Sequence, residues 1–412
     1  MTTPARNGVH DGDEGLAARG REGGLGLYLH TPFCATKCPY CDFYSGVFPE
    51  AGVPAFVHAL AAEAEAAASD PELQAWMANG PVTSVFFGGG TPSHLPGPAL
   101  RRLFEVVRAN FPLATAAEIT VECNPESLTE EKADLLRELG VNRVSVGVQA
   151  LADPVLKTLG RPHDAAAAFA AAKVARASFP QVNFDLILAA PGLTRPLLEQ
   201  ALGRLLDLGP DHLSAYGLTF EPGTVFGALA ARGEMRPARD EEYLAQDELV
   251  STRAAAAGLE RYEISNYARP GKECAHNLAI WRGGYYLGLG PSAASTLPGG
   301  AHGRRRTNVR DLAIYVRRWE AGQSSAVEEG LGREAAMIEA LLLGLRLTWG
   351  LDRHRFEQRF EQPLADALGA ALPPLLAGGF LVLDRDHLRL TDRGRPLLDA
   401  ILDRLTGGLA LS

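Results

Sequence analysis

Residues 27–45 read LYLHTPFCATKCPYCDFYS, a short apolar run followed by Cys34, Cys38 and Cys41 at C-x3-C-x2-C spacing. Thiolates are metal ligands, and a structural zinc site is normally closed by four of them or by a mixture with histidine. Three cysteines fall one short. His30, four residues before Cys34, would complete a zinc site of three cysteines and one histidine. The other assignment is an iron–sulfur cluster, in which three thiolates hold three corners of a cubane and leave the fourth iron open. On the residues alone both assignments stand, and both put a metal in the loop behind the first strand.

Working outward, β-prone runs alternate with longer helical patterns. The expected strands are 25–30, 82–89, 118–124, 143–149, 182–188 and 212–219, separated by segments such as AFVHALAAEAEAAA and PALRRLFEVVRANF. Thr129 ahead of two glutamates and Asp164 ahead of an alanine run are helix-start signals. Strand and helix in alternation predict an α/β fold with a parallel sheet and right-handed crossovers, a partial (β/α)6 barrel. In such arrays the site forms at the C-terminal ends of the strands. The unusual polar elements all fall there: the cysteine loop, GGGTPS (88–93), Glu122 with Asn124, Gln149, Asp185, and Thr219 with Glu221.

The whole chain limits the rest. It has 412 residues, 46% of them hydrophobic, which is enough for two or three cored domains. We expect a disordered polar tail over 1–24, the core over 25–250, an aromatic- and glycine-rich extension over 251–330, and a unit over 331–412. That last unit reads as helices followed by a hairpin, resembling a winged helix. It carries 10 basic against 11 acidic residues, so a packing or protein-contact role is expected rather than DNA binding. A net charge of −9 gives no nucleic-acid footprint. Five unevenly placed cysteines suit a reducing compartment, and no signal peptide or membrane span is evident, so a cytoplasmic location is expected.

With Tyr40 just before its third cysteine, the C-x3-C-x2-C loop resembles the signature of the radical S-adenosylmethionine (SAM) superfamily. That resemblance implies a [4Fe-4S] cluster on Cys34, Cys38 and Cys41, with SAM chelating the open iron. GGGTPS would supply free backbone groups to the methionine end of SAM, Glu122 would accept from the ribose hydroxyls, and Tyr40 would flank the adenine. The run of LYLHTPFC, FFGGGTPS, VECNPES, NRVSVGVQ, LGRPH, FDLILAAPGLT and EPGT is similar to the oxygen-independent coproporphyrinogen III oxidase family over about residues 25–400. By that similarity Tyr28, Gly89, Gly90, Thr91, Glu122, Gln149, Arg161 and Asp185 line the SAM site.

Two departures separate the chain from the oxidases. Phe43 stands where their run has a fourth cysteine, and only a short segment precedes the first strand. Both resemble the heme-chaperone branch of the family. So does HNLAIW (276–281), which matches most of an HNxxYW motif associated with heme in that branch, with Ile280 in place of its tyrosine; Ala294 stands where a histidine is usual. The resemblance implies heme as cargo, His276 as an iron ligand and an unidentified acceptor protein, with peripheral contact with a membrane during transfer left open. A hydrogen-bonded core histidine is the alternative for His276, and oxidative decarboxylation of coproporphyrinogen III is the alternative activity.

Overall fold

The structure, a computed structural model, describes residues 24–407. The tail expected over 1–24 therefore lies outside the described residues except for Gly24. Six parallel strands lie in sequence order: β1 (Gly26–Thr31), β2 (Val82–Gly89), β3 (Leu113–Cys123), β4 (Arg143–Gln149), β5 (Gln181–Leu188) and β6 (His212–Gly217). Helices such as Val53–Ala68, Gly97–Asn110, Ala165–Ser178 and Arg195–Leu206 form the crossovers. The two expected caps are present: the Thr129 hydroxyl accepts from the Lys132 N–H at 3.1 Å, and the Asp164 carboxylate from the Ala167 N–H at 2.7 Å.

The extension expected over 251–330 prolongs the sheet at both edges. β7 (Glu260–Arg261) and β8 (Asn266–Ala268) add antiparallel to β6. At the other edge β9 (Tyr286–Leu289) pairs parallel with β1, and β10 (Ala294–Leu297), β11 (Arg304–Asn308) and β12 (Ala326–Gly330) continue from it. The result is one sheet of 12 strands. Unpaired backbone at the edges of a six-stranded array needs partners, and these short strands supply them. β3 also starts earlier than expected, because Leu113 pairs with Val82 before a register shift.

The two faces of this sheet differ in chemistry. Residues facing the helices are apolar: Leu27, Leu29, Val85, Phe87, Val121, Val144, Phe184 and Leu186 pack with Leu60, Leu103, Leu136 and Leu202 in one continuous core. The alternate residues, which side-chain period two sends to the concave face, include Glu118, Glu122, Arg143, Ser145, Asn183, Asp185, His212 and Ser214. The helices thus hold the fold through the outer face and leave the inner one for polar work.

A second core, from Ala336 to Leu405, is built by helices Arg333–Gly344, Arg353–Phe360 and Leu398–Thr406 with a three-stranded sheet of β13 (Leu351–Asp352), β14 (Leu381–Leu383) and β15 (His387–Leu390). Among the described residues no helix is long and apolar enough to cross a membrane.

Candidate functional site

The concave face and the loops above it enclose a cavity of about 780 Å³. Cys34, Cys38, Cys41, Tyr28, Tyr40, Gly89, Gly90, Thr91, Glu122, Gln149, Arg161, Asp185 and His276 all line it. Residues as far apart in the chain as Tyr28 and His276, 248 positions, therefore share one space. Asn124, Thr219 and Glu221 line it as well.

At the mouth, the cysteine loop is tied down by its backbone. The Cys34 N–H donates to the Gly46 carbonyl at 2.9 Å, and Gly46 donates back to Pro32 at 2.9 Å. Lys37 Nζ donates to the Phe43 carbonyl at 2.6 Å and to Ser45 Oγ at 2.9 Å. The three thiols are half-buried. Thr91 Oγ1 donates to Cys34 Sγ at 3.6 Å, and an Arg161 N–H to Cys38 Sγ at 3.4 Å. Burial pushes the Cys34 thiol pKa up, and the Thr91 bond opposes it. Arg161 is itself held by Asn124 Oδ1 at 2.6 Å and the Gly147 carbonyl at 3.3 Å. Donors aimed at sulfur stabilise a thiolate and tune a metal bound to it.

The donor set discriminates between the two metals. Both nitrogens of His30 are engaged, with Tyr28 Oη at 3.0 Å and the Tyr44 carbonyl at 2.7 Å, and the ring is buried. His30 therefore does not complete a zinc site. Among the described residues no three His, Cys, Asp or Glu side chains converge on a single ion. A cubane needs no such convergence, since each thiolate takes its own iron.

The glycine turn differs from expectation. Its N–H groups are not free: Gly89 donates to Glu122 Oε2 at 3.2 Å, Gly90 to the Thr31 carbonyl at 2.7 Å and Thr91 to the Phe33 carbonyl at 2.8 Å. Gly89 has φ +104°, and a Cβ there would stand 2.6 Å from the His30 ring; one at Gly90 would stand 2.7 Å from two backbone oxygens. Both positions need glycine to lock β2 against the cysteine loop. The turn shapes the mouth through packing.

Farther in, Glu122 meets solvent only through the cavity. Enclosure, with the Asp185 carboxylate adding to it, pushes its pKa up to about 8. Asp185 is also raised by enclosure, and accepts from Ser145 Oγ at 2.8 Å and Asn183 Nδ2 at 2.8 Å. Gln149, at the end of β4, adopts φ 64°, a left-handed conformation that costs a non-glycine residue about 1 kcal/mol or more. It follows a register shift after Val146.

At the floor, the helix Ala275–Trp281 carries the HNLAIW motif. Glu118 holds its first turn, accepting from the Ala275 N–H at 3.0 Å and the His276 N–H at 3.2 Å. His276 Nδ1 lies 3.0 Å from Ser84 Oγ, and its ring stacks on Phe86 with centroids 5.3 Å apart. Its Nε2 is buried and has no hydrogen-bond partner. Burial and the Arg143 charge push its pKa down to about 3, so the imidazole is neutral. Ile280, Trp281, Tyr286 and Ala294 line the same cavity, the two motif departures included.

Sequence reasoning missed Arg143, Asn183, His212, Ser214 and Asn266, which also line the cavity. Burial and the Arg143 charge keep His212 neutral; its ring bridges Asn183 Oδ1 at 2.7 Å and Tyr262 Oη at 2.9 Å. An amide oxygen only accepts, so Nδ1 carries the proton and Nε2 accepts from Tyr262. The available signal was period two within the strands: Arg143-x-Ser145-x-Gly147-x-Gln149, Asn183-x-Asp185 and His212-x-Ser214 each present a polar stripe.

Residues 28–205 match the Radical SAM superfamily model and residues 331–397 the HemN C-terminal domain model. The chain is 40% identical over 397 residues to heme chaperone HemW of Mycobacterium tuberculosis (strain ATCC 25618 / H37Rv), covering 93% of this chain and 95% of that relative. The chain belongs to the HemW family. Heme chaperone HemW of Escherichia coli (strain K12) is 35% identical, with 92% and 97% of the two chains covered. The mouse protein named radical S-adenosyl methionine domain-containing protein 1, mitochondrial, is also 35% identical, with 91% and 86% covered. The solved structure of the Escherichia coli radical SAM enzyme coproporphyrinogen III oxidase (HemN) superposes with a TM-score of 0.78 at 25% identity, covering 97% of this chain and 93% of that one. Both the HemW family and the radical SAM fold are thereby shown, and radical SAM membership implies a [4Fe-4S] cluster and SAM.

Proposed function

We propose that this HemW-family chain is a heme chaperone that carries a [4Fe-4S] cluster and SAM at the mouth of its cavity, holds heme at the floor, and passes the heme to an acceptor protein. One observation carries the reading: the three-cysteine loop and a neutral, buried histidine with a partnerless Nε2 line the same cavity. A neutral imidazole whose Nδ1 is held by a hydroxyl is the form that ligates iron. Relatives named heme chaperone HemW over almost the whole chain support the cargo.

In this reading Cys34, Cys38 and Cys41 hold the cluster, and Thr91 and Arg161 donate to its thiolates. Tyr28, Tyr40, Gly89, Gly90, Glu122, Gln149 and Asp185 surround SAM. When bound, the reduced cluster supplies one electron to the sulfonium of SAM. Glu122, with its raised pKa, keeps its proton near neutrality and can donate as well as accept. His276 faces the iron of heme. Phe43 and Val47 expose apolar surface on the cysteine loop, which suits contact with an acceptor protein or a membrane surface. No part of the site calls for nucleic acid, and we propose a cytoplasmic location. The domain limits at 24, 250 and 330 belong to the same proposal.

The test uses anaerobically reconstituted protein. Hemin is titrated against the Soret band; SAM, dithionite and coproporphyrinogen III are then added and product is sought. One heme per chain without decarboxylation is expected. Protoporphyrinogen formation without heme binding would instead make the chain an oxidase, despite Phe43 at the position of the fourth cysteine.

A further inference from the structure

We infer that the floor of the cavity is a carboxylate-binding subsite built on Arg143, and that its occupant is a propionate of the bound heme. The inference rests on the heme reading above and adds the residue that would hold the cargo's charge.

Arg143 opens β4, lines the cavity and is 2% exposed. Its Nε is buried without a hydrogen-bond partner, and its approach to an acid is that Nε at 3.9 Å from Glu118, beyond hydrogen-bond reach. A buried cation with five N–H donors is costly unless its donors are met. Glu118 stands 3.9 Å away, held there by bonds from the Ala275 and His276 N–H groups and the Cys274 thiol. The oxygens of Asp185 are taken by Ser145 and Asn183, and Glu122 accepts from Gly89. Other buried arginines behave differently. Arg261 forms two 2.8 Å bonds to Asp247, and Arg306 bonds Glu63 at 2.6 Å.

A second orphan lies on the same wall. His276 Nε2, also buried, has no partner. A guanidinium fork is matched by a planar carboxylate, and a neutral imidazole nitrogen by a metal. Phe86 stacks on His276, and Ile280, on the helix that carries His276, lines the same cavity. A flat apolar ring with a central metal and peripheral carboxylates satisfies all three. The other source of a carboxylate in this cavity is the amino-acid end of SAM.

The experiment compares hemin, hemin dimethyl ester and SAM, each titrated against anaerobically reconstituted wild type and R143Q by absorbance or calorimetry. The double variant E118Q/R143Q removes both charges together and serves if the single change fails to fold. We expect R143Q to weaken hemin by about tenfold or more, the loss of charge-assisted hydrogen bonds, and to leave the ester unchanged. Weaker SAM with unchanged hemin would keep the carboxylate subsite and overturn the propionate as its occupant. Unchanged affinities for all three in both variants would overturn the subsite, leaving Arg143 as the counter-charge of Glu118. A wild type that binds no hemin would overturn the heme reading itself, and the propionate with it.

Discussion

The mouth and the floor of this cavity are built on opposite terms. At the mouth, the three cysteines fall within eight residues of one loop and are half-buried, and the groups around them are already partnered: Thr91 reaches Cys34, Arg161 reaches Cys38, the Gly89 N–H is held by Glu122, and those of Gly90 and Thr91 by neighbouring backbone. At the floor, the groups come from widely separated elements, are buried, and include two buried nitrogens, Arg143 Nε and His276 Nε2, that lack hydrogen-bond partners. A partnered site keeps its shape when empty. An orphaned one is stabilised by what it binds. The difference predicts that the mouth and the floor can be disabled separately.

The largest expected effect is at the mouth. Cys38→Ser should bring iron and sulfide content down to background and abolish SAM binding, while hemin binding persists; full iron and sulfide in the purified variant would break the cluster assignment. Next is the framework of the floor. Asn183 bonds Ser145, Asp185, Ser214 and His212 at once, so Asn183→Leu strands several buried polar groups. It should cost on the order of 3 kcal/mol or more, read as a lowered thermal midpoint with cluster content retained per folded chain.

A smaller effect follows from Glu122. Its pKa rises from 4.5 to about 8 on folding. Between these values the native chain holds a proton that the unfolded chain has released, so stability falls as pH rises through that window and levels off above about 8. Glu122→Gln should flatten that decline in cluster-free protein, and thermal midpoints across the window that overlay those of the wild type would contradict the raised pKa. The smallest effect belongs to Thr91→Val. It removes both the donor to the Cys34 sulfur and the acceptor for Asn124 Nδ2, and should weaken SAM by about tenfold, the worth of one or two hydrogen bonds. A complete loss of SAM there would mean that Thr91 is itself a principal ligand.

The same contrast sets what was legible in the sequence. The cysteine loop, the strand ends and the two helix caps are local patterns, and local patterns are readable because their partners lie a few residues away. Arg143, Asn183 and His212 matter only through the registers Ser145↔Asn183 and Asn183↔His212, which no single strand reveals. Their polar stripes were visible, but a polar stripe on a strand ordinarily faces solvent; here it faces an enclosed cavity. The strands of the 251–330 segment escaped notice for a related reason. Its strands are two to five residues long, too short for period two to declare them, and their place at the sheet edges is set by the unpaired backbone of β1 and β6.

The central claim is that one cavity serves both the cluster and the heme through different residues. Its most direct test is a hemin titration of His276→Ala that has been reconstituted to full iron and sulfide content. The account predicts normal cluster and SAM binding with the Soret complex lost or weakened by at least about tenfold. An unchanged Soret titration would contradict it, placing heme elsewhere and leaving His276 a core histidine bonded to Ser84.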